Sequence, residues 1–358
     1  MIVQTEAFSA ARQAAFAERL LGILNGGGLA LMVSVGHRTG LFDAMEPGWW
    51  ATSAELAARA GLHERYVREW LGAMATGRIV EHDAESGRFC LPAEHAAHLT
   101  RAAKQDNIAV LSQYIGVLAA VEDQIVERFR SGGGVGYCEF HRFHDVMAED
   151  SGQSAAAALE SAVLPLIPGI IEKLESGISV ADVGCGCGRI INLLARRFPK
   201  SRFTGMDFSE EAIGKALAEA EAHGTTNARF ELKDAAAIDM PGRFDLVLTF
   251  DAIHDQADPK RVLANIRAML KPGGVYMMQD IGLSSHVHKN MEHPVAPLIY
   301  TISCMHCMTV SLAQGGAGLG AAWGVELAER MLREAGFSQI SIHRLPHDIQ
   351  NAYFVASA

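Results

Sequence analysis

The chain has 358 residues, of which 49% are apolar and 20% charged, with a formal net charge of −10. These values exclude a largely disordered polymer, and the acidic balance gives no general attraction to nucleic acid or anionic membranes. No uninterrupted apolar run approaches the roughly 20 residues that span a bilayer. The length exceeds one ordinary core and suggests two domains.

The first segment, MIVQTEAFSAARQAAFAERLLGIL, is interrupted by Glu6, Arg12, Glu18 and Arg19. It reads as an amphipathic helix with Phe16, Leu20, Ile23 and Leu24 on one face, not as a signal peptide. Asn25-Gly26-Gly27-Gly28 is a stop signal, and a second apolar helix should run from Leu29 to about Arg38. TSAELAARA opens with Thr52 or Ser53 as N-cap. A helix over about 64–76 follows, and then RIVEHDAESGRFCLP, two β-prone runs around a turn. Helix, turn, helix, hairpin is the order of a winged helix, placed at about 28–104. A long helix should cover 106–130, followed by the aromatic and histidine-rich YCEFHRFH (137–144) and a helix near 155–174.

After Gly177 the pattern changes. SVADVG, RFTGMD, ARFELKD, FDLVLTF and VYMMQD alternate with RIINLLARRF, EEAIGKALAEAEAH and DPKRVLANIRAML. Short apolar strands alternating with amphipathic helices build a mostly parallel sheet covered on both faces, an α/β doubly wound fold. QISIHRL and NAYFVAS bring the strands to seven, and 283–323 is too long for a plain connection. The expected division is therefore 1–175, helical with the winged helix inside it, and 176–358, the doubly wound domain with that insertion.

The chemistry concentrates at the strand ends. Asp182 closes the first strand before Gly184, Gly186 and Gly188, a spacing that lets backbone approach a ligand closely. A nicotinamide fingerprint would need glycine where Arg189 stands. Cys185 and Cys187 occupy the intervening loop positions. Asp207 ends the second strand, where a carboxylate can accept both hydroxyls of a ribose. Asp234 ends the third, placed to accept from an adenine amine, and Phe250 ends the fourth as an apolar wall. Each aspartate alone could equally cap a helix or start a turn.

ADVGCGCG (181–188), Asp207, KDA (233–235), FDLVLTFDAIH and LKPGG (270–274) occur in the order found in class I S-adenosylmethionine-dependent methyltransferases, and the second half of the chain resembles that family. The first half resembles the helical, winged-helix domain that some bacterial small-molecule methyltransferases carry. The resemblance implies S-adenosylmethionine as cofactor and S-adenosylhomocysteine as product. It implies Gly184 and Gly186 beside the methionine portion, Asp207 on the ribose, and Asp234, Ala235 and Phe208 around the adenine. The acceptor would be a small molecule, apolar or aromatic, held between the two domains.

Methyl transfer requires mainly alignment and exclusion of water, with a base where the acceptor carries a proton. His254, four residues beyond Phe250, is the base candidate; with Asp255 it could instead simply shape its loop. Tyr137, His141, His144, His306 and Trp323 are candidates for the acceptor pocket, with inter-domain packing as the alternative. Cys304, His306 and Cys307 invite a metal reading. One C-x-x-C supplies only two of four ligands, so no metal is expected.

The winged helix leaves a second class open, a regulator sensing a nucleoside ligand. Residues 28–104 hold eight Lys or Arg against nine Asp or Glu, not the basic face that DNA binding needs. A nicotinamide-dependent oxidoreductase is the third reading. The six cysteines are expected as reduced thiols in the cytoplasm, and the apolar early helices suggest a homodimer.

Overall fold

The computed structural model describes residues 8–153 and 155–357. One compact unit ends at Gly116 and a second begins at Val117.

In the first unit, Ala10–Thr39 is a single 30-residue helix. The expected stop at 25–28 is absent: no Cβ added at Gly26, Gly27 or Gly28 would meet anything within 4 Å, and none has positive φ. Glycine weakens a helix interior without ending it. The helix closes instead at Gly40, in the left-handed conformation (φ 73°). The two apolar stretches thereby join, so that Ala10–Thr39, like Ala296–Ala313 in the second unit, is long and apolar enough to cross a membrane by length and composition. That differs from the sequence expectation, which counted uninterrupted runs.

The winged-helix elements form as expected. Thr52 caps Ser53–Ala60 in a reciprocal capping box with Glu55. Glu64–Thr76 follows, then the antiparallel hairpin of β1 (Glu81–Asp83) and β2 (Arg88–Cys90). Phe42, Leu56, Val67, Trp70, Leu71 and Met74 fill the core. Within Glu64–Thr76, Arg68 pairs with Glu64 at 2.7 Å and Arg65 with Glu69 at 2.5 Å, which neutralises the cationic side chains of that helix.

The second unit is built on a seven-stranded sheet of order β5-β4-β3-β6-β7-β9-β8. Its strands are β3 (Ser179–Val183), β4 (Arg202–Asp207), β5 (Ala228–Leu232), β6 (Phe244–Phe250), β7 (Leu270–Ile281), β8 (Gln339–His343) and β9 (Asn351–Ser357). All pairs from β5 to β7 are parallel; β9 runs antiparallel to β7 and β8. Strand order reverses direction at β3 and β6, and ligands of such sheets bind outside the strand ends at that point.

Residues 117–176 pack with the second unit, whereas the sequence reading grouped them with the first half. Leu159, Val163, Leu164, Ile167, Ile170 and Leu174 share one core with Val180, Ile191, Phe203 and Leu246 of the sheet domain. The long helix expected over 106–130 is broken into Ser112–Ala119 and Glu122–Ser131. The helix expected near 155–174 is interrupted by a wide turn at Leu159–Val163 and by Pro165 and Pro168.

Candidate active site

The loop 184–188 folds back on the end of β4, where the amides of Gly184 and Cys185 donate to the Met206 carbonyl at 2.8 and 3.1 Å. Gly184, Gly186 and Gly188 all take positive φ, 74°, 51° and 70°. Their surroundings differ. A Cβ on Gly184 would lie 2.5 Å from Ala252, and one on Gly188 2.5 Å from the Phe230 ring. A Cβ on Gly186 would meet no protein atom within 4 Å. Gly184 and Gly188 allow the loop to pack, while Gly186 presents open backbone.

Asp207 is drawn into the same loop. Its Oδ2 accepts from the Gly186 amide and its Oδ1 from the Ser209 amide, both at 2.9 Å. Each oxygen keeps a further lone pair for a ligand hydroxyl. Asp182 is buried and its Oδ1 has no partner. Burial, with the Asp207 charge second, raises its carboxyl to about 8. Asp234 is exposed and accepts from the Ala236 amide at 2.8 Å, so it does cap the short turn Ala235–Ala237. Ala235 is buried beside it, and Phe208 is half exposed. Burial, followed by the charges of Asp182 and Asp207, pushes the Cys185 thiol well up, and burial also raises Cys187. Both cysteines are free.

Beyond Phe250, which is partly buried, the chain makes a tight excursion through Asp251, whose φ is 50°. His254 is buried, and its Nδ1 lies 2.7 Å from Asp280 Oδ1 at the end of β7. The same oxygen accepts from the Ile281 amide at 2.7 Å and the Trp323 indole at 3.0 Å. Burial opposes charge on the His254 ring, but Asp280, and Cys307 after it, raise the imidazole well above its ordinary range. Cys307 is buried near this ring, which opposes the effect of burial on its thiol. Burial lifts Asp255 to about 6. Burial, then Asp280, raises Asp251 strongly.

Trp323 therefore serves as a donor behind His254. Asp280 was not foreseen, although a carboxylate closing the fifth strand repeats the placement of Asp207. Among the described residues, Asp251, His254 and Asp280 are the group whose ligand atoms lie close enough, within 4.8 Å of one another, to hold a metal ion. Cys304, His306 and Cys307 form no such group. His254 Nδ1 and Asp280 Oδ1 are already committed to each other, while Asp251 Oδ2 accepts from the Gln279 side-chain amide at 2.8 Å.

The segment 137–144 meets the insertion in a cluster of rings. His306 stacks on Phe143 at 3.5 Å and meets Phe140 and Tyr137 edge-on at 4.6 and 5.1 Å. Tyr137 also stacks on His144 and touches Phe208 edge-on. His144 reaches Ser209 at 3.4 Å, on the loop after β4. Burial, then the charges of Asp255 and Asp207, raises the Tyr137 phenol well above its ordinary value. His141 is exposed and takes no part in the cluster; Phe140 and Phe143, passed over in the sequence, do.

Comparison with known families gives two matches: residues 27–101 to the Rv2258c-like winged HTH domain and residues 174–343 to a methyltransferase domain. The chain joins a winged helix-turn-helix domain to a methyltransferase domain. Trans-aconitate 2-methyltransferase of Deinococcus radiodurans is 33% identical over 141 residues, 39% of this chain and 47% of that relative. The chain thus spans about half the length of that curated relative. Human N-acetylserotonin methyltransferase, solved in complex with S-adenosylmethionine, superposes with a TM-score of 0.68 at 16% identity, covering 99% of both chains. An O-methyltransferase family protein of Burkholderia thailandensis superposes with a TM-score of 0.64 at 16% identity, covering 98% of both chains. These likenesses establish the fold.

S-adenosylmethionine is the cofactor that a methyltransferase domain implies, and the residues present fit it. The open face of Gly186 admits a ligand against the backbone, and the unpartnered, buried Asp182 oxygen suits a cationic or hydrogen-donating group.

Proposed function

We propose that the protein transfers a methyl group from S-adenosylmethionine to an oxygen of a small-molecule acceptor. The observation that carries this reading is the alignment of Asp182, Gly186, Asp207 and Ala235 along the ends of β3, β4 and β5, with Gly186 left open and hydrogen-bonded to Asp207. In this reading Gly184, Cys185 and Gly186 bound the methionine portion, Asp207 takes the ribose hydroxyls, and Asp234, Ala235 and Phe208 surround the adenine. Phe250 closes the apolar side.

Bound S-adenosylmethionine supplies a methyl group already activated on a sulfonium. The chain's own residues then align the acceptor, exclude water and move one proton. Asp280 fixes the orientation of His254. For His254 to act as base, its ring must first release the proton that Asp280 stabilises. Oxygen is favoured as the attacking atom because the names of several relatives specify O-methyl transfer, including the ubiquinone biosynthesis O-methyltransferase of Methylococcus capsulatus.

We further propose a cytoplasmic homodimer, with Phe16, Leu20, Ile23 and Leu24 as the exposed apolar face that a second copy would cover. The paired arginines of Glu64–Thr76 weigh against a DNA-binding regulator. Calorimetry tests the main reading: S-adenosylhomocysteine should bind and NAD should not. Binding of NAD alone would replace it with the oxidoreductase reading.

A further inference from the structure

His306 is the one histidine among the described residues for which both ring nitrogens are buried without a hydrogen-bond partner. It is 1% exposed and sits on a turn of widened, π-helical hydrogen bonding, Ser303–Cys307, within the 283–323 insertion. Such turns recur at functional sites. A neutral imidazole offers one donor and one acceptor. Burying both unmet is unfavourable, and a phenylalanine would fill this ring-lined position without that cost. The imidazole is therefore spare recognition capacity in an aromatic enclosure of Tyr137, Phe140 and Phe143.

His254 is the opposite case. Its Nδ1 is bonded to Asp280. Two buried imidazoles thus differ in their surroundings: one is held through Nδ1 by a carboxylate, and the other has neither nitrogen engaged.

We propose that His306 binds the acceptor's hydroxyl group and takes its proton, and that the acceptor is a phenol. This rests on the methyl-transfer reading. The ring enclosure suits a planar aromatic frame. The Tyr137, Phe140 and Phe143 rings that meet His306 carry no positive charge to hold an anionic acceptor such as a carboxylate. In the step itself, a lone pair of the phenol oxygen forms the bond to methyl, and the cofactor's sulfur keeps the electron pair of the bond that breaks. The phenolic proton passes to the unprotonated His306 nitrogen. A weak base suffices, because an oxygen bonding to methyl makes its own proton strongly acidic.

The groups facing His306 hold it in the free-base form. Burial, then the charges of His254 and His144, lowers its proton affinity well below the ordinary range, and the Tyr137, Phe140 and Phe143 rings offer no counter-charge. His254 faces Asp280, Asp251, Asp255 and Cys307 and is shifted the other way. The two candidates therefore give different pH profiles.

The experiment uses the full chain with 4-methylphenol and catechol as probes, benzoate and benzylamine as controls, and release of S-adenosylhomocysteine as readout. Phenols should be methylated, with kcat/KM rising on a limb below the ordinary histidine range and flat through neutrality. His306→Phe should lower kcat/KM by about 100-fold or more and weaken 4-methylphenol binding measured calorimetrically, with S-adenosylhomocysteine affinity unchanged. His306→Gln, which keeps a hydrogen-bonding edge, should recover probe binding without recovering kcat. Turnover of benzoate or benzylamine in place of phenols, a rate limb above neutrality, or wild-type phenol kinetics in His306→Phe would each overturn the proposal. So would a protein that binds S-adenosylhomocysteine yet methylates no phenol, and failure to bind S-adenosylhomocysteine at all would remove the methyl-transfer reading beneath it.

Discussion

Gly186 and Gly188 share the left-handed backbone and lie two residues apart, yet an added methyl group should affect them differently. Either alanine costs about 1–2 kcal/mol for holding an L-residue in that conformation. At Gly188 the new Cβ also meets the Phe230 ring at 2.5 Å and Ala216 Cβ at 2.6 Å. Overpacking of that kind adds about 1–3 kcal/mol, so Gly188→Ala should lose about 2–5 kcal/mol of stability. At Gly186 the Cβ meets no protein atom, so the loss of stability should stop at about 1–2 kcal/mol. The methyl group instead occupies the space through which the cofactor must approach the backbone. S-adenosylhomocysteine affinity should fall by about 10- to 100-fold, equivalent to about 1.4–2.7 kcal/mol. Urea denaturation gives the first quantity and calorimetry the second. Wild-type affinity in Gly186→Ala would refute the assignment of that open face to the cofactor. Equal destabilisation in the two variants would refute the steric argument.

Asp280→Asn should cost about 3–5 kcal/mol, because it leaves a buried, protonated His254 without its counter-charge. The pH dependence checks the cause: a histidine whose folded proton affinity is raised stabilises fully below its ordinary 6.5 and loses that contribution as pH rises through the folded value. Wild-type stability should therefore decline on the alkaline side, and denaturation curves of Asp280→Asn should lack that component; an identical alkaline decline in the variant would disprove it. Cys185→Ser with Cys187→Ser should leave cofactor affinity largely intact by calorimetry, since the proposed site offers the ligand the open backbone of Gly186 and not sulfur. EDTA should leave activity unchanged; loss of activity restored by Mg²⁺ would turn Asp251, His254 and Asp280 into a metal site. Replacing Phe16 and Leu24 by Glu should yield monomers in sedimentation, whereas an unchanged assembly state would place the dimer contact elsewhere.

The sheet was legible in the sequence because strands β3 to β7 are short apolar runs separated by strongly amphipathic helices, a pattern that local periodicity reports directly. The placement of Asp182, Gly186 and Asp207 together at the strand ends was legible for the same reason: their spacing from the strands is local. What escaped depended on distant partners. Gly26, Gly27 and Gly28 look like a stop, but nothing in the fold uses the left-handed freedom they offer, so the helix continues. Residues 159–174 look like part of a helical first half, yet Leu159, Leu164 and Ile170 find their neighbours on β3 and β4. His254 stood out as an ionisable residue beyond a strand, but its state is set by Asp280, 26 residues later. His306 looked like a core residue or a weak metal ligand. Only the arrival of Phe143 and Tyr137 from 160 or more residues upstream shows that its nitrogens are left over.

The most direct measurement is the crystal structure of the full chain with S-adenosylhomocysteine. The expected result is the ribose on Asp207, the adenine between Phe208 and Asp234–Ala235, and the methionine portion across Gly184 and Gly186. Density for the ligand away from the ends of β3, β4 and β5, or an Asp207 that makes no contact with it, would contradict the assignment.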